Sequence, residues 1–359
     1  MSLLTSLTSL TANVSPDHSA GAHTTIPASV RASDVVLTGD RPTGRLHLGH
    51  YAGSLQSRLA LQGHCAQTIV VADLQALTDN AGRPAHVAAH VREVVSDYLA
   101  VGLDPERTTI ALQSRLPALA ELTVLYLNLV TVARLERNPT VRAEIEMRGF
   151  ARDIPAGFLC YPVSQAADIT GFRATVVPVG EDQLPMIELS NEIVRRVNRT
   201  VGEEVLPECR ALLSSTPRLP GIDGRKASKS LGNAISLSAT SAEVRELVMA
   251  MYTDPGHARV SDPGKVEDNV VFAYLDAFDP APEDVAELKR HYTRGGLGDV
   301  PLKRRLIDVL NDLLEPIRER RMTLAAHPGL VDDVIAAGTA VARRETDAVL
   351  ADVRRAFSL

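Results

Sequence analysis

Two histidines and two lysines carry the densest chemical signal in this chain. His47 and His50 lie in Thr38-Gly39-Asp40-Arg41-Pro42-Thr43-Gly44-Arg45-Leu46-His47-Leu48-Gly49-His50, and Gly49 directly precedes the second imidazole. Far downstream stand Lys226-Ala227-Ser228-Lys229-Ser230. Imidazole N–H and ammonium groups donate to phosphate oxygens, and a glycine lets a ligand approach bare backbone. Such a set suits a reaction at a polyphosphate, where the protein positions the attacking group in line and neutralises developing charge. His47 and His50 would donate to phosphate oxygens, Lys226 and Lys229 would hold a departing pyrophosphate, and Ser228 and Ser230 would add hydrogen bonds. Magnesium would bridge the phosphates without a dedicated protein cage, because it keeps much of its water shell. The plainer alternative makes the histidines caps or loop residues and the lysines an ordinary basic loop.

Those groups need elements to aim them. The apolar run Val35-Val36-Leu37 precedes the histidine segment, and helical spacing follows it. Strand, glycine-punctuated loop and helix together bring backbone N–H groups to a phosphate. Ile69–Ala72, Thr108–Leu112 and Thr175–Val179 read as further strands, with helical patterns over His86–Gly102 and Leu116–Leu135. This alternation predicts an α/β domain over 34–239, a parallel sheet covered on both faces. Ligand groups then belong at the carboxyl ends of strands, where the polar residues after Leu37, Ala72 and Val179 fall. Beyond residue 240, Ser241–Met251, Pro282–His291, Leu302–Arg321 and Val331–Phe357 have helical periodicity and predict a mostly helical domain over 240–359. Residues 1–33 are rich in Ser, Thr and Ala, lack the pattern of a secretory leader, and read as a disordered extension.

Composition narrows the class. The 359 residues allow two domains, and 45% hydrophobic with 23% charged residues is ordinary for a globular enzyme. No apolar run is long enough to span a bilayer. Cys65, Cys160 and Cys209 are few and widely spaced, which suggests a reduced compartment, no disulfide framework and no zinc pattern. The net charge of −6 gives no overall basic field. Basic residues nevertheless cluster at Arg195-Arg196 with Arg199, Lys303-Arg304-Arg305, Arg318 with Arg320-Arg321, and Arg343-Arg344. Such clusters serve either as phosphate-binding faces or as solvated helix faces.

A second constellation concerns a small ligand. Tyr161-Pro162-Val163-Ser164-Gln165-Ala166-Ala167-Asp168 reads as the start of a helix, which puts Tyr161, Gln165 and Asp168 on one face. A buried carboxylate there would pair with one ligand donor and reject a molecule lacking it. The alternative is that Asp168 caps or pairs internally. Gly180-Glu181-Asp182-Gln183 closes the Thr175–Val179 strand, at a carboxyl end.

The histidine and lysine segments resemble the HIGH and KMSKS motifs of class I aminoacyl-tRNA synthetases. From Asp34 to the last helices the chain resembles tryptophanyl-tRNA synthetases, as a divergent bacterial type. Thr38–Ser54, Val71–Thr78, Gly157–Ile169, Val177–Gln183 with Glu188-Leu189, and the lysine loop carry the likeness. The resemblance implies a Rossmann-like, doubly wound catalytic domain and a helical anticodon-binding domain whose last helix packs back on the first. It implies a cytoplasmic homodimer acting on ATP with Mg2+, L-tryptophan and tRNA(Trp), with no structural metal and no membrane. By matched position, Arg41, Pro42, Thr43, Gly49, His50, Gly180, Glu181, Asp182, Leu219 and Lys226 to Ser230 would contact ATP. Asp168 would accept the indole N–H, and Tyr161, Gln165 and Gln183 would line the amino-acid pocket.

Three positions depart from that family. Gln165 stands where most bacterial members have methionine, and Tyr161, Gln165 and Asp168 have the spacing of the tyrosine-binding residues in tyrosyl-tRNA synthetases. Ala227 replaces a methionine, which keeps both lysines and both serines but shrinks a hydrophobic anchor, so slower loop closure is expected. Arg41 replaces a glutamine and adds charge near the phosphates. Tyrosine activation on the same scaffold, a tRNA-independent nucleotidyltransferase of the HIGH type, and a synthetase-like regulatory protein are the competing readings. The long helical C-terminal region speaks against the nucleotidyltransferase, and the retained histidines and lysines speak against the regulatory protein.

Overall fold

The computed structural model describes residues 26–78, 80–150, 152–213, 219–227 and 231–359. Among them, β1 (Val35–Asp40), β2 (Ala66–Val71), β3 (Thr109–Leu112), β4 (Val176–Val179) and β5 (Arg210–Leu213) form one sheet. The order is β3-β2-β1-β4-β5, and every pairing is parallel. Chain order runs outward from β1 in both directions, so the sheet is doubly wound and its switch point lies between β1 and β4. β-Branched residues are frequent in β1, β2 and β4, which are largely buried, whereas β5 at the sheet edge has none and is partly exposed.

Helices fill the connections: α1 (Leu48–His50), a π-helical turn (Tyr51–Leu55), α2 (Gln56–Leu61), α3 (Asp73–Ala76), α4 (Pro84–Val101), α5 (Pro117–Leu127), α6 (Val132–Glu136), α7 (Pro139–Arg148), α8 (Ala156–Gly171) and α9 (Leu184–Val201). After β5 come α10 (Ser241–Met249), α11 (Val270–Phe278), α12 (Pro282–Arg294), α13 (Asp299–Ala326) and α14 (Pro328–Ala356). Side chains alternate across the sheet. Leu37, Val70, Ala111 and Val177 join a core with residues of α5, α8, α9 and α14, while Val36 and Val176 pack with Val30, Leu61 and Cys65.

Two compact units differ from the expected 34–239 and 240–359. The sheet unit holds 26–219, 227–240 and 316–359; the helical unit holds 220–226 and 241–315. In the sheet unit α14 lies on β3: Gly338 meets the Ile110 backbone, where a Cβ would come within 2.2 Å of its carbonyl oxygen. Thr339 Oγ1 accepts the Leu112 N–H at 3.0 Å, so the last helix satisfies part of this edge strand. In the helical unit, Val244, Val248, Phe272, Leu275, Tyr292, Leu306 and Leu310 are buried. There Lys303 Nζ donates to the carbonyls of Met249 and Met251 at 2.9 and 2.8 Å.

Several expectations need correction. Within the proposed 1–33 extension, residues 26–33 are mostly exposed but anchored: Val30 is buried, and the Ser29 carbonyl accepts from Arg210 Nη2 at 2.6 Å. Residues 1–25 lie outside the described residues. Leu116–Leu135 is two helices, because Thr131 accepts the Arg134 N–H and caps a new start after Asn128 ends α5. The Tyr161 helix begins at Ala156, with Pro162 inside it. α11, an apolar aromatic segment without a clear polar face, and β5 were not anticipated.

Candidate active site

The parallel register brings the carboxyl ends of β1, β2, β3 and β4 to one edge of the sheet. Arg41, Pro42 and Thr43 follow β1, Asp73 and Gln75 lie in the turn after β2, Gln113 follows β3, and Gly180 to Gln183 follow β4. The β1 and β4 ends flank the switch point, where open α/β sheets have their ligand crevice.

His47 caps α1. Its Nδ1 accepts the Gly49 N–H at 3.1 Å, and His50 Nδ1 accepts the His47 N–H at 3.2 Å. A neutral imidazole nitrogen that accepts carries no proton, so the proton of each ring resides on Nε2. The two centroids are 3.9 Å apart. The capping and donating readings therefore coexist: Nδ1 shapes the turn, and Nε2–H is the donor a ligand would meet. Gly49 has a further reason to be glycine, since a Cβ would sit 2.9 Å from the His47 ring.

The turn is held from three sides. Asp97 Oδ2 accepts the Leu46 N–H at 2.7 Å, and Arg321 of α13 pairs with Asp97 and, at 2.8 Å, with Glu93. The strand-like stretch beyond the lysine loop is stitched to the same turn: Leu48 N–H donates to Ile235 O at 2.9 Å and Leu237 N–H to Leu46 O at 3.0 Å. At the end of β1, Asp40 Oδ2 accepts from Arg58 Nη1 at 2.7 Å and from Tyr98 Oη at 2.6 Å. Burial works to raise the Asp40 pKa, but the Arg58 charge and the hydrogen bonds from Arg58 and Tyr98 outweigh it and hold the carboxyl well below its usual range.

On α8, Tyr161 and Asp168 are buried and Gln165 is half-buried. Tyr161 Oη donates to Glu144 of α7 at 3.1 Å; burial and then the Glu144 charge push its pKa far up, opposed in part by Arg41. Asp168 is different. Its Oδ2 accepts from Gln113 Nε2 at 2.7 Å, while its buried Oδ1 has no hydrogen-bond partner. Burial raises its pKa to about 7, and the Gln113 hydrogen bond offsets only part of that. A buried acceptor left open in this way is the feature expected where a ligand supplies the donor.

Glu181 and Asp182 are exposed, and Gln183 is half-buried with its Nε2 3.4 Å from Asp182 Oδ2. Thr140 Oγ1 donates to the Asp182 carbonyl at 2.7 Å and ties this strand end to α7. Leu219 is buried and Ala227 half-buried. Lys226 is exposed and belongs to the helical unit, where it bridges to Pro220. Ser228, Lys229 and Ser230 lie outside the described residues. Among the described residues, no group of three or more His, Cys, Asp or Glu side chains is arranged to hold a metal ion. Sequence reasoning missed Gln113, Gln75 and the Asp40–Arg58–Tyr98 group. The signal for Gln113 was its place directly after the β3 run, the rule already applied to the other strands.

The family described as tRNA synthetases class I (W and Y) matches residues 31–315. The tryptophan–tRNA ligase of Clostridium longisporum is 53% identical over 333 residues, covering 91% of this chain and 98% of that protein. That of Lactococcus lactis is 52% identical over 332 residues, covering 90% and 97%. Among solved structures, tryptophanyl-tRNA synthetase from Campylobacter jejuni, complexed with ADP and tryptophan, has a TM-score of 0.76 at 26% identity, covering 90% of this chain and 99% of that one.

Proposed function

The chain belongs to the class I tRNA synthetases of tryptophan and tyrosine, and on that premise we propose that it acts as a tryptophan–tRNA ligase. The carboxylate of tryptophan attacks the α-phosphorus of ATP. An acyl–phosphate bond forms, the α–β bridge breaks, and pyrophosphate leaves with its negative charge. The terminal adenosine hydroxyl of tRNA(Trp) then attacks the acyl carbon and releases AMP.

The choice of tryptophan rests on the tryptophan–tRNA ligases that this chain resembles over most of its length; within the site, the Asp168 carboxyl has one oxygen held by Gln113 and the other lacking a protein donor, an acceptor that fits an indole N–H or a phenol O–H. An indole N–H supplies that donor. Tyr161, Gln165 and Gln183 line the same pocket in this reading. Arg41, Pro42, Thr43, Gly49, His50, Gly180, Glu181, Asp182, Leu219 and the segment Lys226 to Ser230 bind ATP. His47 and His50 place Nε2 protons against phosphate oxygens, Lys226 and Lys229 neutralise the leaving pyrophosphate, and Ser230 donates a hydrogen bond to it. Magnesium travels with the triphosphate; the donor set fits this, since such an ion takes phosphate and water ligands and needs few from protein.

The helical unit, 241–315 with 220–226, is taken to meet the anticodon end of tRNA, while the last helix of the expected 240–359 domain belongs to the sheet unit; action in the cytoplasm is part of the same reading. A homodimer is supported by the face of α5 and α6 turned from the core, where Val124 and Val132 are 60% and 59% exposed. No helix among the described residues is long and apolar enough to cross a membrane.

The test is ATP–pyrophosphate exchange with tryptophan and tyrosine offered separately, followed by charging of tRNA(Trp). Exchange with tryptophan alone and charging is the expected result. Exchange with tyrosine alone would transfer the pocket to the other branch, and exchange without charging would favour the tRNA-independent nucleotidyltransferase.

A further inference from the structure

We infer that Gln113 is a positioning residue for amino-acid selection: its amide, locked in one orientation by a backbone N–H, holds Asp168 so that the second carboxylate oxygen accepts only from a ligand donor. The inference rests on the reading of the chain as a tryptophan–tRNA ligase and concerns how that site chooses its substrate.

The lock is a matter of polarity. The Gln75 N–H donates to Gln113 Oε1 at 3.1 Å, and Gln113 Nε2 donates to Asp168 Oδ2 at 2.7 Å. A backbone N–H has no acceptor capacity, so the amide atom facing it must be the oxygen. Turning the amide over would set N–H against N–H at Gln75 and oxygen against oxygen at Asp168. Both hydrogen bonds would be lost in a place where Gln113 is 2% exposed and water does not replace them.

Gln113 is itself anchored. Its carbonyl accepts the Leu116 N–H at 3.0 Å, and the preceding Leu112 N–H is held by Thr339 of α14 at 3.0 Å. The turn that supplies Gln75 is pinned too, because Asp73 Oδ1 accepts the Ser114 N–H at 2.9 Å. Backbone, amide, carboxylate and ligand thus form one directed chain of donors ending at Asp168 Oδ1, which is buried and lacks a partner. The group that completes the ionised carboxylate must donate, and an indole N–H can do nothing else. A ring sulfur at the same position completes nothing.

The experiment compares tryptophan with β-(3-benzothienyl)alanine, in which sulfur replaces the N–H, in ATP–pyrophosphate exchange. Sites that hydrogen-bond a substrate group reject the analogue lacking it by factors on the order of 10⁴, and that is the expected wild-type preference. Gln113→Met keeps length and bulk but removes the donor and the acceptor. It is expected to shrink the preference by on the order of tenfold or more through tryptophan alone, with the KM for ATP and the kcat/KM for the sulfur analogue held within about threefold. An unchanged preference, or equal losses for both amino acids, would overturn the inference and leave Gln113 as packing. Wild-type protein that exchanges with neither amino acid, or with tyrosine alone, would instead overturn the underlying reading. Should Gln113→Met fail to melt cooperatively, Gln113→Glu takes its place. It keeps an acceptor for Gln75 and offers a donor only while protonated. Relative to wild type at each pH, its preference for tryptophan is then expected to fall as pH rises, and a pH dependence matching that of wild type overturns the inference.

Discussion

Asp40 and Asp168 are two enclosed carboxylates of the same sheet unit with opposite environments. Asp40 ends β1 against a guanidinium whose side chain is 3% exposed and takes a second hydrogen bond from Tyr98. Asp168 stands on α8 with one neutral amide and an open oxygen. The first is compensated within the protein and stays ionised. The second is left one donor short and titrates at about 7. The difference separates a carboxylate compensated by its own protein partners from one whose open acceptor suits a ligand donor, although burial presses on both.

That contrast can be broken most sharply at Asp168. Asp168→Ala is expected to lower kcat/KM for tryptophan by on the order of 10³-fold, because the indole N–H loses its acceptor, while the melting temperature stays equal or rises. Exchange kinetics and a thermal melt on one preparation check both halves; a melting temperature that drops with activity would make Asp168 structural.

The converse is expected at Asp40. Asp40→Asn leaves Arg58 enclosed without its anion, which destabilises by about 3 kcal/mol, the low end for a broken buried pair because the Asp40 side chain is 19% exposed. Urea unfolding measures it. A loss under about 1 kcal/mol would show the pair to be solvent-screened, like an ordinary surface bridge.

pH sharpens the same comparison. In the proposed reading indole binds the ionised form of Asp168, whose carboxyl is pushed up to about 7 by burial. Tryptophan should therefore bind roughly tenfold more weakly at pH 6 than at pH 8, releasing a proton on Asp168 as it binds. Titration calorimetry in buffers of different ionisation enthalpy reads both quantities, and a flat profile would mean that Asp168 is already ionised. For stability the signs oppose. The Asp168 pKa is raised from 3.8, so the folded state holds more protons between about pH 4 and 7, and the unliganded protein loses stability through this group as pH rises across that window. The Asp40 pKa is lowered, so its contribution is intact above about pH 4 and fades only as strong acid reaches its depressed pKa.

The smallest effect belongs to Gln165, half-buried one helical turn from Asp168. Gln165→Met is expected to shift inhibition by tryptophan analogues roughly threefold to tenfold, the range of a contact altered without loss of a charge. Coinciding inhibition curves would make the glutamine neutral.

Legibility followed range. Strands β1, β2, β3 and β4 were readable because residues such as Val35, Val36, Ile69, Val70 and Val176 are β-branched and bounded by turns. The α8 face was readable because Tyr161, Gln165 and Asp168 repeat at helical spacing. α11 was not readable, since Val270 to Phe278 is apolar on nearly every side and shows no periodic stripe. The break between α5 and α6 was hidden by a continuous run of leucines and valines, in which only the Thr131 cap marks the interruption.

The sequence by itself determined the kind of chemistry: two imidazoles, a lysine loop and a carboxylate on a helix face, in an order that identifies the family. Residue type and local spacing carry that information, because short periodicities set which side chains share a face. Only the tertiary structure decided the state in which those groups are held. The tautomers of His47 and His50 follow from backbone N–H groups that the folded turn presents to each Nδ1. Asp168 is left with one open oxygen because only Gln113, after β3 and itself held by the Gln75 N–H after β2, comes to the other. Charge and proton position depend on burial and on partners far away in the chain, and those exist only after the sheet has formed.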